Sequence, residues 1–228
     1  RSMDPQQRLL LEEVWRCVED SGVPLKTLRK GVTAVYVGCM QLDYTQAMAD
    51  PEVERDGYAC SGNFSCILSN RVSYLLGFRG PSMTLDTACS ASLVAMHEAR
   101  LALQNDLCDY AIVAGVSLNL SPWKYCSFSK ARMLSPDGQC KTFDKDANGY
   151  VPGEGVAAIL LQRADVARRE GAHVYGMLKG SAVNHGGEAL SLTAPTVAAQ
   201  KEVILQAWQN AGLSLSTCGC VESHATGT

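Results

Sequence analysis

Residues 84–96, Thr-Leu-Asp-Thr-Ala-Cys-Ser-Ala-Ser-Leu-Val-Ala-Met, place a cysteine where its chemistry is favoured. A short apolar run ends in Asp86-Thr87-Ala88, Cys89 follows, and the small and apolar residues after it read as a helix. At a helix N-terminus the aligned peptide dipoles and free N–H groups favour a thiolate over a thiol. The same N–H groups can hold the oxyanion that forms when sulfur attacks a carbonyl. Ala88, Ser90 and Ala91 leave room beside the sulfur for an acyl chain. Most cysteines are small buried hydrophobes. The strand–Cys–helix setting favours a nucleophile here.

Other candidates lie further along. His224 ends an apolar segment, 218–222, and opens a Thr/Gly-rich turn. A lone histidine there could simply be satisfied at a strand end. Glu154, in Pro-Gly-Glu-Gly, is an acid entering an apolar strand, so it has to be hydrogen-bonded or paired to stay charged, which reads as structural support. His97 lies two turns beyond Cys89, too far for contact, and His173 and His185 read as loop residues. Cys218-x-Cys220 followed by His224 raises zinc, but a closed structural site wants four ligands and no second pair is evident, so no metal is expected.

Asp86-Thr87-Ala88-Cys89-Ser90-Ala91-Ser92 resembles the active-site motif of β-ketoacyl synthases, in particular the ketosynthase domains of modular polyketide synthases. Seven further segments agree in order and spacing: Met3-Asp4-Pro5-Gln6-Gln7-Arg8-Leu9, Asn70-Arg71-Val72-Ser73-Tyr74, Arg79-Gly80-Pro81-Ser82, Met133-Leu134-Ser135-Pro136-Asp137-Gly138, Lys141-Thr142-Phe143-Asp144, Gly149-Tyr150-Val151-Pro152-Gly153-Glu154-Gly155 and Glu222-Ser223-His224-Ala225-Thr226-Gly227-Thr228. The resemblance implies a thiolase-like α-β-α-β-α fold. It implies that Cys89 accepts an acyl chain and condenses it with a malonyl-type thioester. It assigns His224 to stabilising the enolate and Thr226 and Thr228 to the pantetheine arm, and it puts Glu154 near the active-site floor. The implied partners are an acyl carrier protein, whose phosphopantetheine carries the substrates, and a second copy of the enzyme. No bound cofactor is implied. Alternatives are a non-elongating, transacylating ketosynthase and a fatty-acid ketosynthase. A cysteine hydrolase would need an oriented His–Asn/Asp pair and leaves the other motifs unexplained.

Relatives mostly carry glycine where this chain has Ala225. If the backbone there needs positive φ, alanine costs on the order of 1 kcal/mol. The chain also reads as a partial ketosynthase: residues 1–162 correspond to most of an N-terminal half and 163–228 to the start of a C-terminal half. A second histidine and a lysine are expected downstream, and the ends coincide with motifs, as in a gene fragment amplified between them. Such a fragment alone is expected to be inactive.

Composition agrees with a globular domain. The 228 residues are 46% hydrophobic and 19% charged, with a formal net charge of −3. No basic cluster points to nucleic acid, and no apolar run is long enough for a membrane helix. Ten cysteines lie mostly in apolar patterns, which fits a reducing cytoplasm better than a disulfide framework.

The elements that must position Cys89 alternate between strand and helix, which makes the class α/β. Residues 5–20 predict an amphipathic helix, capped by Asp4 with Gln7 in a capping-box pattern. Strand 33–38 follows, then helix 62–76 with Phe64, Ile67, Leu68, Val72 and Leu75 facing inward and Gly77 as the stop. Helix 90–104 is apolar around most of its circumference, which predicts burial on all sides. Residues 109–116 and 155–162 read as strands covered on both faces, flanking a turn-rich stretch at 133–153. Helix 164–170, strand 174–183, helix 196–211 and strand 218–222 complete the pattern.

Overall fold

The computed structural model describes residues 2–40, 43–48 and 57–228. The elements run α1 (Pro5–Asp20), α2 (Leu25–Lys30), β1 (Thr33–Gly38), α3 (Tyr44–Ala47), α4 (Ala59–Asn63), α5 (Cys66–Leu76), β2 (Ser82–Leu85), α6 (Ala91–Gln104), β3 (Tyr110–Ser117), α7 (Pro122–Lys130), β4 (Gly155–Gln162), α8 (Ala164–Glu170) and α9 (Val197–Ala211), before a 3-10 turn at Leu215–Thr217.

Four strands form one sheet in the order β2-β1-β3-β4. β1 is parallel to β2 and β3, and β4 runs antiparallel to β3. The two-residue period of a strand sorts the core into two layers. Val35, Val37, Ile112, Ala114 and Val116 share one cluster with Leu10, Val14 and Val18 of α1 and Leu68 and Val72 of α5. Ala34, Tyr36, Ala111 and Val113 belong to a second cluster with Ala95, Ala99, Ala102 and Leu103 of α6. The sheet is therefore sandwiched by helices. Each large aliphatic side chain so buried contributes roughly 1.5–3 kcal/mol. Alanines at 91, 95 and 99 recur one turn apart, so α6 can lie close on the strands.

The N-terminus of α1 forms much as its sequence suggests. Asp4 Oδ1 accepts the Gln6 N–H at 2.7 Å, and Pro5 occupies the first turn. The capping box does not close. Gln7 Nε2 instead donates to the Gly62 carbonyl at 2.8 Å, and the Asp4 N–H reaches the same carbonyl at 2.9 Å. That backbone approach is possible because Gly62 has no Cβ, which would run into Ser2 O.

Several expectations are corrected. The 62–76 segment is two helices, broken where Phe64 leaves helical geometry with ψ 136°. Phe64 and Leu75 are exposed, not inward. Gly77 does end α5, in the left-handed region at φ 73°. α6 buries one face only, and Leu93 is 66% exposed on the other. β4 is a sheet edge whose Ala157 and Ile159 are exposed. Residues 174–183 and 218–222 are not strands. Their β-branched and apolar residues have the propensity, but a strand needs a neighbour to pair with. No edge of the described sheet reaches them.

The consequence is a wide apolar surface. Leu93, Ile159, Leu190, Leu192, Val197, Ile204 and Val221 are all exposed, and α9 has no buried residue. Expressed alone, the 228-residue chain is expected to bind a hydrophobic dye and to self-associate. Sedimentation checks this, and a monodisperse monomer without dye binding would contradict it.

Candidate active site

Cys89 sits on a tight elbow between β2 and α6. Asp86 Oδ1 accepts the Ala88 N–H at 2.9 Å, turning the chain as it leaves the strand. Ala88 then takes φ +54°, a left-handed conformation that costs a non-glycine residue roughly 1–2 kcal/mol. Ser90 Oγ folds back to donate to the Thr87 carbonyl at 2.8 Å and to Thr87 Oγ1 at 3.0 Å. The elbow leaves Cys89 exposed just before the first turn of α6.

Two glycines set the height of that turn above the sheet. A Cβ on Gly38 would stand 2.5 Å from Ser92 N, and one on Gly115 would stand 3.1 Å from Ser92 Cβ. Gly38 and Gly115 are register partners at the C-terminal ends of β1 and β3. The missing Cβ at Gly38 lets the α6 N-terminus settle onto the parallel strands, and a Cβ at Gly115 would crowd Ser92.

Tyr150 is half-buried and within electrostatic reach of Cys89. Burial first, then the nearby Cys89 and Tyr125 groups, push its hydroxyl above the usual phenol range. Its backbone is held on both sides: Tyr150 N–H donates to Met133 O at 3.0 Å and Ser135 N–H to Tyr150 O at 2.9 Å. The 133–148 loop is braced by Asp137, which accepts from Lys141, from Ser135 Oγ at 2.6 Å and from Asn148. These donors, Lys141 foremost, hold its carboxyl well below the usual carboxylate range.

The His224 turn docks on the same loop. Gly149 N–H donates to Gly227 O at 2.9 Å, and Thr142 Oγ1 donates to Ala225 O at 2.7 Å. Gly149, at φ +136°, has no room for a Cβ against the Leu134–Ser135 backbone. The His224 turn is thus tied to Gly149, and Cys89 and His224 share no hydrogen bond among the described residues. His224 is exposed and extends from a loop, not a strand. Thr226 Oγ1 and Thr228 Oγ1 lie 2.8 Å apart at the end of the turn.

Ala225 has φ +48°, the conformation for which glycine is suited. Ala225→Gly is expected to stabilise the fold by about 0.5–1 kcal/mol, the left-handed penalty less glycine's extra chain entropy. Denaturant melts of the two proteins, compared at equal slope, check this.

Glu154 is exposed, and its Oε1 accepts the Asn119 N–H at 2.6 Å. The other histidines stay outside the site. His97 Nδ1 meets Ser181 Oγ at 2.9 Å, His173 stacks edge-on with Tyr175, and His185 Nδ1 accepts the Gly187 N–H at 2.9 Å. Burial pushes the Cys17 and Cys108 thiols up to about 11, so both are inert beside an exposed cysteine. Among the described residues no three His, Cys, Asp or Glu side chains converge as a metal site.

The sequence reading missed Tyr150, Tyr125, Asn119 and Lys124. Tyr150 stands inside a quoted motif, where aromatic residues usually signify packing. Lys124 reads as an ordinary surface lysine, and no periodicity marks it as 7% exposed.

Comparison with known proteins bears on this arrangement. Residues 1–167 match the model of the β-ketoacyl synthase N-terminal domain, and residues 175–228 that of the C-terminal domain. The chain is 46% identical over 226 residues to the polyketide synthase ThaG of Burkholderia thailandensis, covering 99% of this chain and 4% of that protein. It is 45% identical over 227 residues to the polyketide synthase GfsE of Streptomyces halstedii, covering 100% of this chain and 6% of that one. The ketosynthase from module 6 of the bacillaene synthase of Bacillus subtilis 168 superposes with a TM-score of 0.91 at 41% identity, over 99% of this chain and 39% of the other. The chain thus spans a small part of its curated relatives and about two-fifths of a solved ketosynthase. With a family model over most of its length and relatives at this identity, the chain belongs to the β-ketoacyl synthase family, whose thiolase-like fold its layered sheet shares.

Proposed function

We propose that this chain is the nucleophile-bearing part of a polyketide-type ketosynthase, in which Cys89 accepts an acyl group and passes it to a malonyl-derived enolate. The observation that carries the reading is the exposed Cys89 on a strained elbow at the start of α6. In the first half-reaction the Cys89 sulfur attacks the carbonyl of an acyl thioester carried on phosphopantetheine. A new C–S bond forms, the carrier C–S bond breaks, and the carrier thiol leaves with the proton that Cys89 gives up. The N–H groups at the start of α6 face the oxyanion that forms in passing.

In the second half-reaction a malonyl thioester loses CO2. Its C–C electron pair becomes the enolate, and the imidazole N–H of His224 donates to the enolate oxygen. The enolate carbon attacks the acyl carbonyl on Cys89, the sulfur leaves, and a β-ketoacyl thioester two carbons longer remains on the carrier. Thioester exchange is nearly isoenergetic, and release of CO2 drives the condensation. Thr226 and Thr228 are assigned to the pantetheine arm and Glu154 to structural support. Residues 1–162 supply most of an N-terminal half, and 163–228 begin a C-terminal one. The whole protein works as a homodimer with an acyl carrier protein in the cytoplasm. Among the described residues no helix is long and apolar enough to cross a membrane.

The test uses a full-length ketosynthase containing these residues. An acyl thioester should add one acyl mass to the peptide carrying Cys89, and a malonyl thioester should then release CO2 with loss of that mass. Acylation elsewhere would overturn the assignment. Acylation of Cys89 without CO2 release would select the non-elongating reading.

A further inference from the structure

His224 is exposed, so packing of its own side chain does not aim the imidazole, and the turn that carries it has to. That turn is held at its backbone. Thr142 Oγ1 donates to the carbonyl of Ala225, the residue directly after His224, at 2.7 Å. Gly149 N–H donates to Gly227 O at 2.9 Å. Gly227 lies so close to the same loop that a Cβ on it would stand 3.1 Å from Lys141 N. The Gly149 tie runs from backbone to backbone. The Thr142 tie depends on one hydroxyl.

The donor stands on a stiff platform. Residues 141–144 form a reverse turn, closed by Asp144 N–H donating to Lys141 O at 3.1 Å. Asp137 accepts from the Lys141 ammonium and from Ser135 Oγ, and Ser135 N–H donates to Tyr150 O at 2.9 Å. Backbone strain lies at both ends of the Thr142–Ala225 bond. Phe143, next to the donor, has φ +62°, and Ala225 has φ +48°. A non-glycine residue persists in the left-handed region only where its surroundings over-determine it. Phe143 is 89% exposed, so its ring does not supply that constraint. What the two residues share is the bond between their segments. The φ of Ala225 is also the rotation that sets His224 relative to the bonded carbonyl. Holding that carbonyl with Ala225 left-handed therefore fixes the direction in which the chain presents the histidine.

We propose that Thr142 is a positioning residue for decarboxylation: its hydroxyl clamps the Ala225 carbonyl, keeps Ala225 left-handed and so aims the His224 imidazole at the enolate oxygen. The proposal rests on the reading of His224 as the enolate's donor. Thr142 touches no reacting atom. Its effect falls on the malonyl half-reaction and not on acylation of Cys89. Misplacement of a catalytic group by about 1 Å can cost up to a hundredfold in rate, and loss of this one tie, with the Gly149 tie kept, should cost about tenfold.

The experiment compares Thr142→Val, Thr142→Ser, His224→Ala and the double variant Thr142→Val/His224→Ala with the parent in a full-length ketosynthase. CO2 release from malonyl N-acetylcysteamine thioester reports the aim of the imidazole. Mass gain on Cys89 from an acyl N-acetylcysteamine thioester reports the other half-reaction, and a thermal melt reports folding. For Thr142→Val the expected result is about tenfold slower CO2 release, with acylation of Cys89 within about twofold of the parent. Thr142→Ser, which keeps the hydroxyl, should restore most of the rate. The double variant should release CO2 within about twofold of His224→Ala alone, because a clamp that acts through the imidazole has nothing left to aim. Should Thr142→Val fail to fold, Thr142→Ala carries the same expectation, since it removes the donor and leaves water room to reach the carbonyl. Parental CO2 release in the Val or Ala variant overturns the proposal. So do equal losses in both half-reactions, failure of Thr142→Ser to restore the rate, or losses that multiply in the double variant. Parental CO2 release in His224→Ala overturns instead the reading of His224 on which it rests.

Discussion

In a full-length ketosynthase carrying this sequence, His224→Ala slows malonyl decarboxylation about a hundredfold or more and leaves acyl transfer to Cys89 near the parental rate. The magnitude is that of removing one donor from a site where negative charge develops. The separation follows from how the turn is held. Ala225 O is fixed by Thr142, and Gly227 O by the Gly149 N–H, so the imidazole can be removed while the backbone on its far side stays anchored. His224 makes no hydrogen bond to Cys89 among the described residues, so the sulfur keeps its surroundings. The check is to time the half-reactions separately: CO2 release from a malonyl thioester, and mass gain on Cys89 from an acyl thioester. Equal damage to both would make His224 a base for the thiol. Normal decarboxylation would take it out of the mechanism.

The local geometry of the candidate site was legible because its residues have local signatures. Asp86 through Ser92 reads as a turn, a candidate nucleophile and a helix start in seven letters, and the structure has an Asx turn, an elbow and α6 in that order. Ala225 was legible for a similar reason. A residue replacing glycine in a turn suggests positive φ, and its φ is +48°. Sequence patterns failed where the outcome depends on a partner. Residues 174–183 and 218–222 have strand propensity, yet nothing in the described sheet pairs with them. α6 is apolar nearly all round, but only the face carrying Ala91, Ala95, Ala99, Ala102 and Leu103 is buried, and Leu93 stays exposed. Lys124 was invisible because its burial depends on Asn119, five positions away across a loop. Asn119 in turn matters because Glu154, 35 residues later, returns beside it. Contacts of that range come from strand order, which a periodicity reading does not contain.

Gly38 links the fold to the chemistry through a single missing methyl group, and Gly38→Ala is expected to damage both. The added Cβ would lie 2.5 Å from Ser92 N, 2.6 Å from Ala91 C and 2.7 Å from Ser92 Cα. These are backbone atoms, so no side chain can swing aside to relieve the clash. β1 cannot retreat easily either, since it is paired on both sides, to β2 and β3, and its residues are buried along its length. The N-terminus of α6 has to lift. Overpacking of this kind costs about 3 kcal/mol, the upper end of the usual range. The lift moves the first-turn N–H groups and the Cys89 elbow together. A displacement of about 1 Å there should slow acyl transfer up to a hundredfold. Gly176→Ala is the matched control, because a Cβ at that glycine meets nothing within 4 Å. Denaturant melts and acyl-transfer rates of the two variants decide the matter. If Gly38→Ala loads Cys89 as fast as Gly176→Ala does, the height of α6 above the sheet does not set the reactivity of the elbow.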